Sequence, residues 1–441
     1  LALLALAEPA VGGPALAYSV LTNSDVNKIW RKAQGKLAVG FNFVTPEFRM
    51  VRQFTELEIE PSLREMTFPV DIYEDRGITS LPEGGREAEP MSVNAEEATI
   101  TLVHLNGRFT VSKRARWALA KDPRAALANQ LKFQGRKKVE AMGRHLGDQF
   151  YGYSTGTLAQ CNGAQSAATS HTIPLKNAYG DSDIAPSGTT DSTHKKYIAN
   201  LFKKGDKVAL IRSGALVTNA IGEITAHPDT STPSITVTWA GSVTINDGDN
   251  IVLANGANAT TIDHTSYNRH LVGLLDFVKS TSVHGISKSS VPNWDVAYSD
   301  TSSGRFTGQK WRKAVDEIHN YGDEDANIVT LMAQGVYRDV MAQMQAGLRF
   351  DDAFALEIDG DLRARGRRPK GSRRVPPGFV ILFGEGAIKK RTIMDDVSEP
   401  NWGDGKELID DSGWIFAIDW SGLLATQNRK LFAYFANQSE L

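Results

Sequence analysis

The sequence predicts an α+β fold built from a long helix, an extended β-hairpin and a small all-β insertion. Met66, Phe68 and Val70 alternate with polar residues or proline, which is the period of a strand at the start of the hairpin. Residues 122–151 place apolar side chains on one helical stripe of about 28 residues, a rod of roughly 42 Å at 1.5 Å per residue. Residues 201–256 hold four short apolar runs separated by turn residues, which is typical of a small barrel or sandwich.

Residues 1–54 are predicted to form an N-terminal arm with one short amphipathic helix. Ser24 is a residue type that favours the N-cap position, and an apolar stripe at helical spacing follows it: Val26, Ile29, Trp30, Ala33 and Leu37. The opposite face bears Lys28, Arg31 and Lys32. A helix this short is not stable alone, so we expect it to dock on the rest of the protein.

Residues 55–111 are predicted to form a long hairpin, with a first strand over residues 66–72. The return strand contains Ile100, Leu102, Phe109 and Val111. Residues 76–90 between the strands are rich in Gly and Pro and form the turn. Pro69 lacks a backbone N–H, which implies that the first strand lies at a sheet edge. A hairpin of this length is marginal by itself and needs a surface to lie on.

The segment from 112 to 200 is predicted to hold the long helix followed by a loop. Asp122 is the expected N-cap and Pro123 the first helical residue. The apolar stripe consists of Leu127, Leu131, Val139, Met142, Leu146 and Phe150. Residues 152–200 are rich in Gly, Ser and Thr and are predicted to be a loop. In the β insertion we predict strands over residues 208–211, 216–224, 235–239 and 251–253.

Residues 257–304 are predicted to connect the insertion to a mixed α/β domain over residues 305–425. That domain is expected to contain a helix through Trp311, Val315 and Ile318 that ends at Gly322, and a helix through Val336, Val340 and Met344 that ends at Gly347. Two buried strands are expected over residues 328–331 and 379–383. Residues 414–435 are strand-like and apolar, and residues 426–441 are assigned to a C-terminal strand.

Composition excludes several classes of protein. The 441 residues are 41% apolar and 23% charged, as expected for an ordinary folded chain of two or three domains. A formal net charge of -2 argues against a dedicated nucleic-acid-binding protein. Cys161 is the one cysteine, so neither an intrachain disulfide nor a Cys-rich zinc site is possible, and a reducing compartment is expected. No membrane span or signal peptide is expected, because the apolar run at residues 1–7 is too short and lacks a basic start.

Charge is segregated between two neighbouring elements. Residues 56–97 contain twelve acidic and three basic residues, whereas residues 108–144 contain eleven basic and two acidic residues. The candidate acidic loop comprises Glu65, Asp71, Glu74, Asp75, Glu83, Glu87 and Glu89. The candidate basic spine comprises Lys113, Arg114, Arg116, Arg124, Lys132, Arg136, Lys137 and Lys138. The two groups form either intrachain or solvated pairs, which are weak, or contacts between copies that fix orientation. The charge pattern leaves both interpretations open.

A second bipolar segment follows residue 350. The acids Asp351, Asp352, Glu357, Asp359 and Asp361 precede a basic loop of Arg363, Arg365, Arg367, Arg368, Lys370, Arg373 and Arg374. Gly366, Pro369 and Gly371 predict an exposed loop. It is either a solvated loop, a subunit contact or a phosphate contact. No aromatic residue is interleaved after Arg363, so base stacking on single strands is not expected.

Catalytic motifs are scarce. Residues 152–156 match the GxSxG pattern around Ser154, but a predicted helix precedes them and a loop follows, whereas a nucleophile elbow needs a strand before and a helix after. Neither a phosphate-binding GxxxxGK[ST] loop nor an HExxH motif is present in the sequence. We expect no cofactor and no metal site. Local motifs do not decide whether two catalytic carboxylates come together from distant parts of the sequence.

The order of these segments resembles the major capsid protein of tailed bacteriophages, whose fold is named after phage Hong Kong 97. The lead-in to the long helix at residues 111–150 is similar to the hairpin-to-spine junction of that family. Residues 273–294 are similar to a phrase common in these proteins and read GLLDFVKSTSVHGISKSSVPNW, with Gly285, Ile286, Ser287, Pro292 and Trp294 as the matching positions. The resemblance covers most of the chain from about Glu56 onward.

The resemblance implies a non-enzymatic shell subunit that assembles into hexamers and pentamers of an icosahedral capsid around double-stranded DNA. Residues 56–111 would be the extended loop, residues 122–151 the spine helix of the peripheral domain, and residues 305–425 the axial domain. The implied partners are other copies, a portal protein, scaffolding and decoration proteins, and DNA without sequence specificity. The implied location is the virion, after assembly in the bacterial cytoplasm.

The sequence lacks one feature of some relatives, and it leaves three alternative functions open. Residues 56–97 contain no lysine, so the lysine cross-link that some relatives make in the extended loop is ruled out there. The alternatives are an encapsulin-type nanocompartment shell, a serine hydrolase using Ser154, and a carbohydrate- or protein-binding module formed by the β insertion. For a shell subunit, we expect the projecting hairpin to find its support on a sister copy.

Overall fold

The computed structural model describes eleven stretches of the chain. They are residues 26–31, 65–71, 95–112, 123–184, 192–255, 262–323, 326–348, 369–392, 401–402, 406–407 and 413–440. Within them lie a long helix, two mixed or antiparallel sheets, two two-stranded ribbons and a closed β-barrel. The α+β class predicted from the sequence is confirmed.

One sheet supports the long helix. Its central strand is β19 (Gly413–Ala425), which pairs along one side with β3 (Val103–Ser112) over ten residues. Along the other side it pairs with the short strands Lys389–Thr392 (β16), Asn401–Trp402 (β17) and Lys406–Glu407 (β18). Strict alternation in β19 buries four large apolar residues on one face: Trp414, Phe416, Ile418 and Trp420.

The arm helix docks on this sheet, as its apolar stripe predicted. Residues 26–31 are helical, with Val26 and Trp30 fully buried and Lys28 exposed. The Trp30 ring centre lies 5.4 Å from that of Phe109 in β3 and 5.0 Å from that of Phe416 in β19. Such aromatic contacts stabilise the docked helix beyond the effect of the apolar area that it buries, which compensates for its short length. Ser24, Ala33 and Leu37 lie outside the described residues.

The long helix α1 runs from Pro123 to Tyr151, so the predicted start and end are correct. Leu131, Val139, Met142, Leu146 and Phe150 are buried along one stripe, as expected. The expected cap Asp122 lies outside the described residues, and the side chain of Leu127 is not described. The helix crosses β3 at Gly107, where a Cβ atom would lie 2.9 Å from Met142 Sδ, so a glycine permits this close approach.

The hairpin differs from its predicted form in two ways. β1 (Glu65–Asp71) pairs with β2 (Ala95–Thr101), and this ribbon has two strands, so Pro69 does lie in an edge strand. The predicted return strand is divided at Leu102, because β3 leaves the ribbon and pairs with β19. The apolar positions change there from even (Ile100, Leu102) to odd (Val103, Phe109, Val111), so the break in alternation coincides with the change of pairing partner.

The second difference concerns support for the ribbon. One face of β1–β2 packs on the same chain in a cluster of its own: Met66, Phe68, Val70, Ala98, Ile100 and Leu102 meet Ile286, Val291, Trp294, Leu423 and Ala425. The Thr99 N–H also donates to the His284 carbonyl over 2.9 Å. The expectation that the hairpin depends on a sister copy is therefore wrong for its base. For residues 72–94, which lie outside the described residues, it stays a prediction.

The β insertion is a closed barrel, and it is larger than predicted. The expected strands are present as β6 (Lys207–Arg212), β7 (Ala215–Ile224), β8 (Ser234–Ile245) and β9 (Asn250–Leu253). Two more strands, β4 (Thr157–Cys161) and β5 (Gln165–Lys176), complete the barrel in the order β4-β5-β8-β7-β6-β9. The prediction of a loop over residues 152–200 is therefore wrong. β5 exposes most of its Ser, Thr and Ala residues, so the sequence shows no apolar strand pattern there.

The rest of the 152–200 segment adds a helix, α2 (Ser192–Asn200), beside the barrel. After the barrel, α3 (Leu274–Lys279) and the small ribbon of β10 (Ser282–Val283) and β11 (Ile286–Ser287) cover the span of the family-like phrase. These elements place Ile286 and Trp294 under the base of the hairpin.

A second sheet, with helices beside it, forms the mixed α/β region. Its order is β12 (Tyr298–Asp300), β20 (Phe432–Phe435), β15 (Val380–Gly384), β13 (Ile328–Ala333) and β14 (Lys370–Ser372). The helices are α4 (Gly308–Tyr321), capped at Gly322 as predicted, and α5 (Gln334–Leu348). Residues 414–435 are not one strand, because β19 and β20 belong to different sheets. The C-terminal strand thus returns into the sheet of the mixed region.

Two histidines, the half-buried His145 and the buried His270, join the end of α1 to the segment that follows the barrel. The His145 and His270 rings lie 5.1 Å apart, and the Gln149 amide lies 2.8 Å from His145 Nε2. Gln149 Oε1 accepts a hydrogen bond from the Leu271 N–H. Desolvation lowers the pKa of His145 to about 4 and lowers that of His270 well below its ordinary value. His284, under the hairpin, has a pKa lowered to about 3 for the same reason.

Acidification from pH 7 to pH 5 is expected to destabilise the protein through these three histidines. Unfolded histidines titrate near pH 6.5, so the unfolded chain binds more protons than the folded chain as the pH falls through that value. Stability is therefore complete above about pH 6.5 and is lost toward pH 4, with His284 alone contributing about 2 kcal/mol of loss at pH 5. The check is the Tm of wild type and of His270→Phe at both pH values. The variant should lose less Tm than wild type, and equal losses would contradict a role for His270.

No helix among the described stretches is long and apolar enough to cross a membrane.

Candidate assembly surfaces

The acidic loop is described only at its base. Glu65 and Asp71 are the two ends of β1, and their side chains are not described. Glu74, Asp75, Glu83, Glu87 and Glu89 lie outside the described residues. The neighbouring acids Glu96 and Glu97 at the start of β2 are exposed. The end of the ribbon next to residues 72–94 therefore presents exposed acidic side chains.

The basic spine is an exposed face of α1 in its central part. Lys132, Arg136 and Lys137 are exposed, and Phe133 beside them is 61% exposed. Arg136 Nε lies 2.9 Å and Lys137 Nζ 3.5 Å from the Glu140 carboxylate. The hydrogen bond from Arg136 is the main cause that lowers the Glu140 pKa. One carboxylate against three cations leaves this face basic, with an aromatic ring at its centre.

The other members of the basic spine are placed differently or are not described. Lys138 is half-buried, and its stem lies against Gly107 of β3, so it does not belong to the exposed face. Arg124 lies in the first turn of α1, but its side chain is not described. Lys113, Arg114 and Arg116 lie outside the described residues.

The basic axial loop is partly a strand. Lys370 begins β14, which pairs with β13, so the prediction of a loop is wrong at this position. Arg373 is exposed and Arg374 is half-buried. Arg363, Arg365, Arg367 and Arg368 lie outside the described residues.

The tertiary structure brings Arg374 of the basic axial loop against the last turns of α1. Arg374 Nη1 lies 3.3 Å from the Arg144 carbonyl oxygen, and a Cβ atom at Gly147 would collide with the same guanidinium. Lys196, Lys203 and Arg338 line the cleft beside this contact. Sequence reasoning missed these three residues because they come from three separate elements. Lys196 and Lys203 each stand beside one other lysine and Arg338 has no basic neighbour, so no local signal places the three in one cleft.

Ser154 is placed unlike a nucleophile at an elbow. The GxSxG segment follows the end of α1 and precedes β4, so its order is helix, turn and strand, the reverse of the elbow. The Ser154 N–H donates to Asp276 Oδ2 over 2.6 Å, and its carbonyl accepts from the His270 N–H. Asp276 also accepts from the Ser280 hydroxyl. This buried carboxylate binds the turn to α3, which is a structural role.

A polar cluster lies beside that turn. Lys279 Nζ contacts Asp181 Oδ2 and Asp183 Oδ2 at 2.6 Å each, and the Tyr153 hydroxyl donates to Asp181. Burial is the main cause that raises the pKa of Tyr153, and the Asp181 charge adds to it. Within the described stretches, no group of three or more His, Cys, Asp or Glu side chains is arranged to hold a metal ion.

The architecture on which these surfaces lie is the phage capsid fold of the Hong Kong 97 type. The spine helix on a sheet, the projecting ribbon and the mixed α/β region are joined in the order that the sequence resemblance implied. The solved structure of the cyanophage A-1(L) capsid is similar over 90% of this chain and 93% of its own, with a TM-score of 0.51 and 9% sequence identity.

Two further solved capsid structures match with lower TM-scores. The capsid of the native GTA particle has a TM-score of 0.40 and 10% identity over 88% of this chain and 90% of its own. The satellite phage P4 procapsid has a TM-score of 0.38 and 9% identity over 93% and 90% of the two chains. No protein-family model matches the sequence, and no curated protein matches it. The similarity is thus one of fold, at an identity too low to transfer individual residues.

Proposed function

We propose that this chain is the major capsid protein of a tailed double-stranded DNA bacteriophage. Copies assemble into hexamers and pentamers of an icosahedral shell that encloses the genome. The observation that carries the proposal is the similarity to the cyanophage A-1(L) capsid, which extends over nine tenths of both chains rather than over one domain. The segregated charge supports it, because an exposed basic helix face and an acidic ribbon on one subunit suit contacts between copies.

Shell formation tests the proposal directly. The full chain, expressed alone and with any scaffolding protein encoded beside it, is expected to form closed particles in negative-stain electron microscopy. Packaged double-stranded DNA in particles from the source would distinguish a phage capsid from an encapsulin-type shell, which would hold a cargo protein. A protein that stays monomeric under all these conditions would contradict the proposal.

We further propose that the acidic hairpin tip of one copy lies over the basic spine of the next. The tip residues are Glu74, Asp75, Glu83, Glu87 and Glu89. The receiving face comprises Lys132, Arg136 and Lys137, with Phe133 as an apolar contact at its centre. Aromatic and Arg side chains are enriched at the centres of interfaces. Residues 56–97 contain no lysine, so contacts of this kind hold the shell without a lysine cross-link in the loop.

Reversal of charge on the receiving face is expected to reduce the yield of shells about tenfold at low salt, since like charges across an interface disfavour association. The variants are Arg136→Glu and Lys137→Glu together, and Glu87→Lys with Glu89→Lys should partly restore assembly. Lys204→Glu, at an exposed lysine between β5 and β6, is the control and should assemble normally. The lost pairs with Glu140 are worth only about 0.5 kcal/mol, so the variant stays folded. Normal yield from the double reversal would contradict the docking proposal.

The remaining partners follow from the same proposal. A portal protein occupies one vertex, and scaffolding and decoration proteins act on the shell. The barrel formed by β4–β9 supports the subunit fold or provides a seat for a decoration protein. The shell is assembled in the host bacterial cytoplasm and becomes the virion capsid, with DNA contacts that do not depend on sequence.

A further inference from the structure

A cleft of about 590 Å³ lies where five parts of the chain meet. Its walls come from the last turns of α1, from α2 and the residues after it, from the turn between β13 and α5, from residues 373–377, and from Glu440 near the C-terminus. This volume is in the range of sites for small molecules and is too small for a folded segment. A duplex DNA is too wide to enter and could present only its backbone phosphates at the mouth of the cleft.

The lining of the cleft is strongly basic. Six cationic side chains face it: Arg144, Lys196, Lys203, Arg338, Arg373 and Arg374. The acidic side chains of the lining are Asp148 and Glu440. Partial burial, together with the nearby Arg144 and Arg374 guanidinium groups, lowers the pKa of Lys203. The repulsion among the six cations is therefore larger than the attraction that the two carboxylates supply.

One of the two carboxylates is already engaged by the backbone. Glu440 Oε1 accepts a hydrogen bond from the Gly378 N–H over 2.7 Å. Its other oxygen lies 2.5 Å from the position that a Cβ atom of Gly335, in the first turn of α5, would take. Carboxylates are favoured at such a helix end, so Glu440 occupies that position. Among the described residues, Lys196, Arg338 and Arg373 form no ion pair, so their charge is free for a ligand.

We propose that this cleft binds a compact polyphosphate anion, held by Arg338, Arg373 and Arg144. Arg guanidinium groups match phosphate oxygens in a bidentate geometry, and four of the six cations are Arg. A short chain of phosphates carries enough negative charge to balance the excess cationic charge of the lining, whereas a single carboxylate does not. The shared chemistry is that of phosphate oxygens, supplied either by a free polyphosphate or by a nucleic-acid backbone. The inference is independent of the proposed capsid role.

The test is calorimetric titration of the full chain with sodium tripolyphosphate at constant ionic strength, with sulfate as a reference anion. We expect saturable binding by wild type and a Kd raised about tenfold by Arg338→Ala with Arg373→Ala. Arg312→Ala with Lys313→Ala removes two exposed cations of α4 outside the cleft, and its Kd should stay within about twofold of wild type. Tm measurements on each variant would show that the fold is retained.

A displacement experiment identifies the source of the phosphate. If a short duplex oligonucleotide displaces tripolyphosphate, the natural source is a nucleic-acid backbone. If the duplex leaves tripolyphosphate bound, the source is a free polyphosphate. The proposal is overturned if wild type shows no saturable binding, if the control pair weakens binding as much as the cleft pair, or if only an acidic peptide of residues 74–89 binds.

Discussion

Replacement of Arg429 with Met is expected to lower the free energy of unfolding by about 3–5 kcal/mol, because three buried carbonyls lose a charged hydrogen-bond donor. Arg429 is 1% exposed, yet its charge faces three backbone carbonyls rather than a carboxylate. Nε donates to the Phe277 carbonyl over 2.9 Å, Nη1 to that of Trp294 over 3.0 Å, and Nη2 to that of Ser280 over 3.0 Å.

The position of Arg429 explains why its replacement should cause such a large loss of stability. It precedes β20 of the second sheet and holds α3 together with the segment that ends at Trp294. That segment carries the residues that support the base of the hairpin. Loss of the guanidinium therefore weakens the sheet, α3 and the hairpin support together, whereas most surface contacts affect a single element.

Thermal unfolding of the full chain measures the effect. With an unfolding entropy of about 2.1 cal/mol/K per residue over 441 residues, the loss corresponds to a decrease in Tm of roughly 3–5 °C. Arg429→Lys keeps the charge but loses the planar donor geometry and should fall between wild type and Arg429→Met. Lys430→Met changes the adjacent, half-buried side chain and should shift Tm by less than about 1 °C. Equal shifts for both Met variants would show that the three hydrogen bonds are not the cause.

Replacement of Gly273 with Ala is expected to destabilise the protein by about 3 kcal/mol or more, which is large for one added methyl group. A Cβ atom at this position would lie 2.3 Å from the Gly152 carbonyl oxygen, 2.5 Å from that of Gln149 and 3.0 Å from that of Phe150. These atoms belong to the backbone at the end of α1 and cannot move as a side chain can. Gly273 therefore allows α3 to begin directly against the end of the spine helix.

The matched control is Gly308→Ala. Gly308 is the first residue of α4, and a Cβ atom there meets no heavy atom within 4 Å. Ala is the better helix former, so this variant should be as stable as wild type or slightly more stable. Soluble yield and Tm of the two variants are the measurements. A Gly273→Ala protein with wild-type Tm would mean that α1 and α3 can separate at little cost, which would contradict the close packing.

The resemblance noted in the sequence has a physical basis in this region. Gly273 starts the phrase that ends at Trp294, and both ends of the phrase are contacts between distant elements. Gly273 meets the end of α1, and the Trp294 indole N–H donates to the Val283 carbonyl while its ring lies under the hairpin. The residues that carried the resemblance are thus ones that hold the spine, α3 and the ribbon in their relative positions.

Local periodicity was sufficient wherever an element buries one face. The spine helix, the arm helix, α4 and four barrel strands follow the predicted stripes and alternations, because burial of apolar side chains requires those spacings. It was insufficient for β5, whose outward Ser, Thr and Ala residues resemble a loop. A closed barrel stabilises such a strand through pairing with its neighbours, which its own composition does not show.

The amino-acid sequence alone determined the α+β class, the length of the spine helix, the segregation of charge and the resemblance to phage capsid proteins. The tertiary structure decided which strands pair, since β3 leaves the hairpin for β19 and the two halves of the C-terminal region enter different sheets. It also decided that the hairpin base rests on its own chain and that Arg144, Arg338 and Arg373 share a cleft. Strand partners and charge clusters depend on residues hundreds of positions apart, and local spacing records only which side of an element is buried.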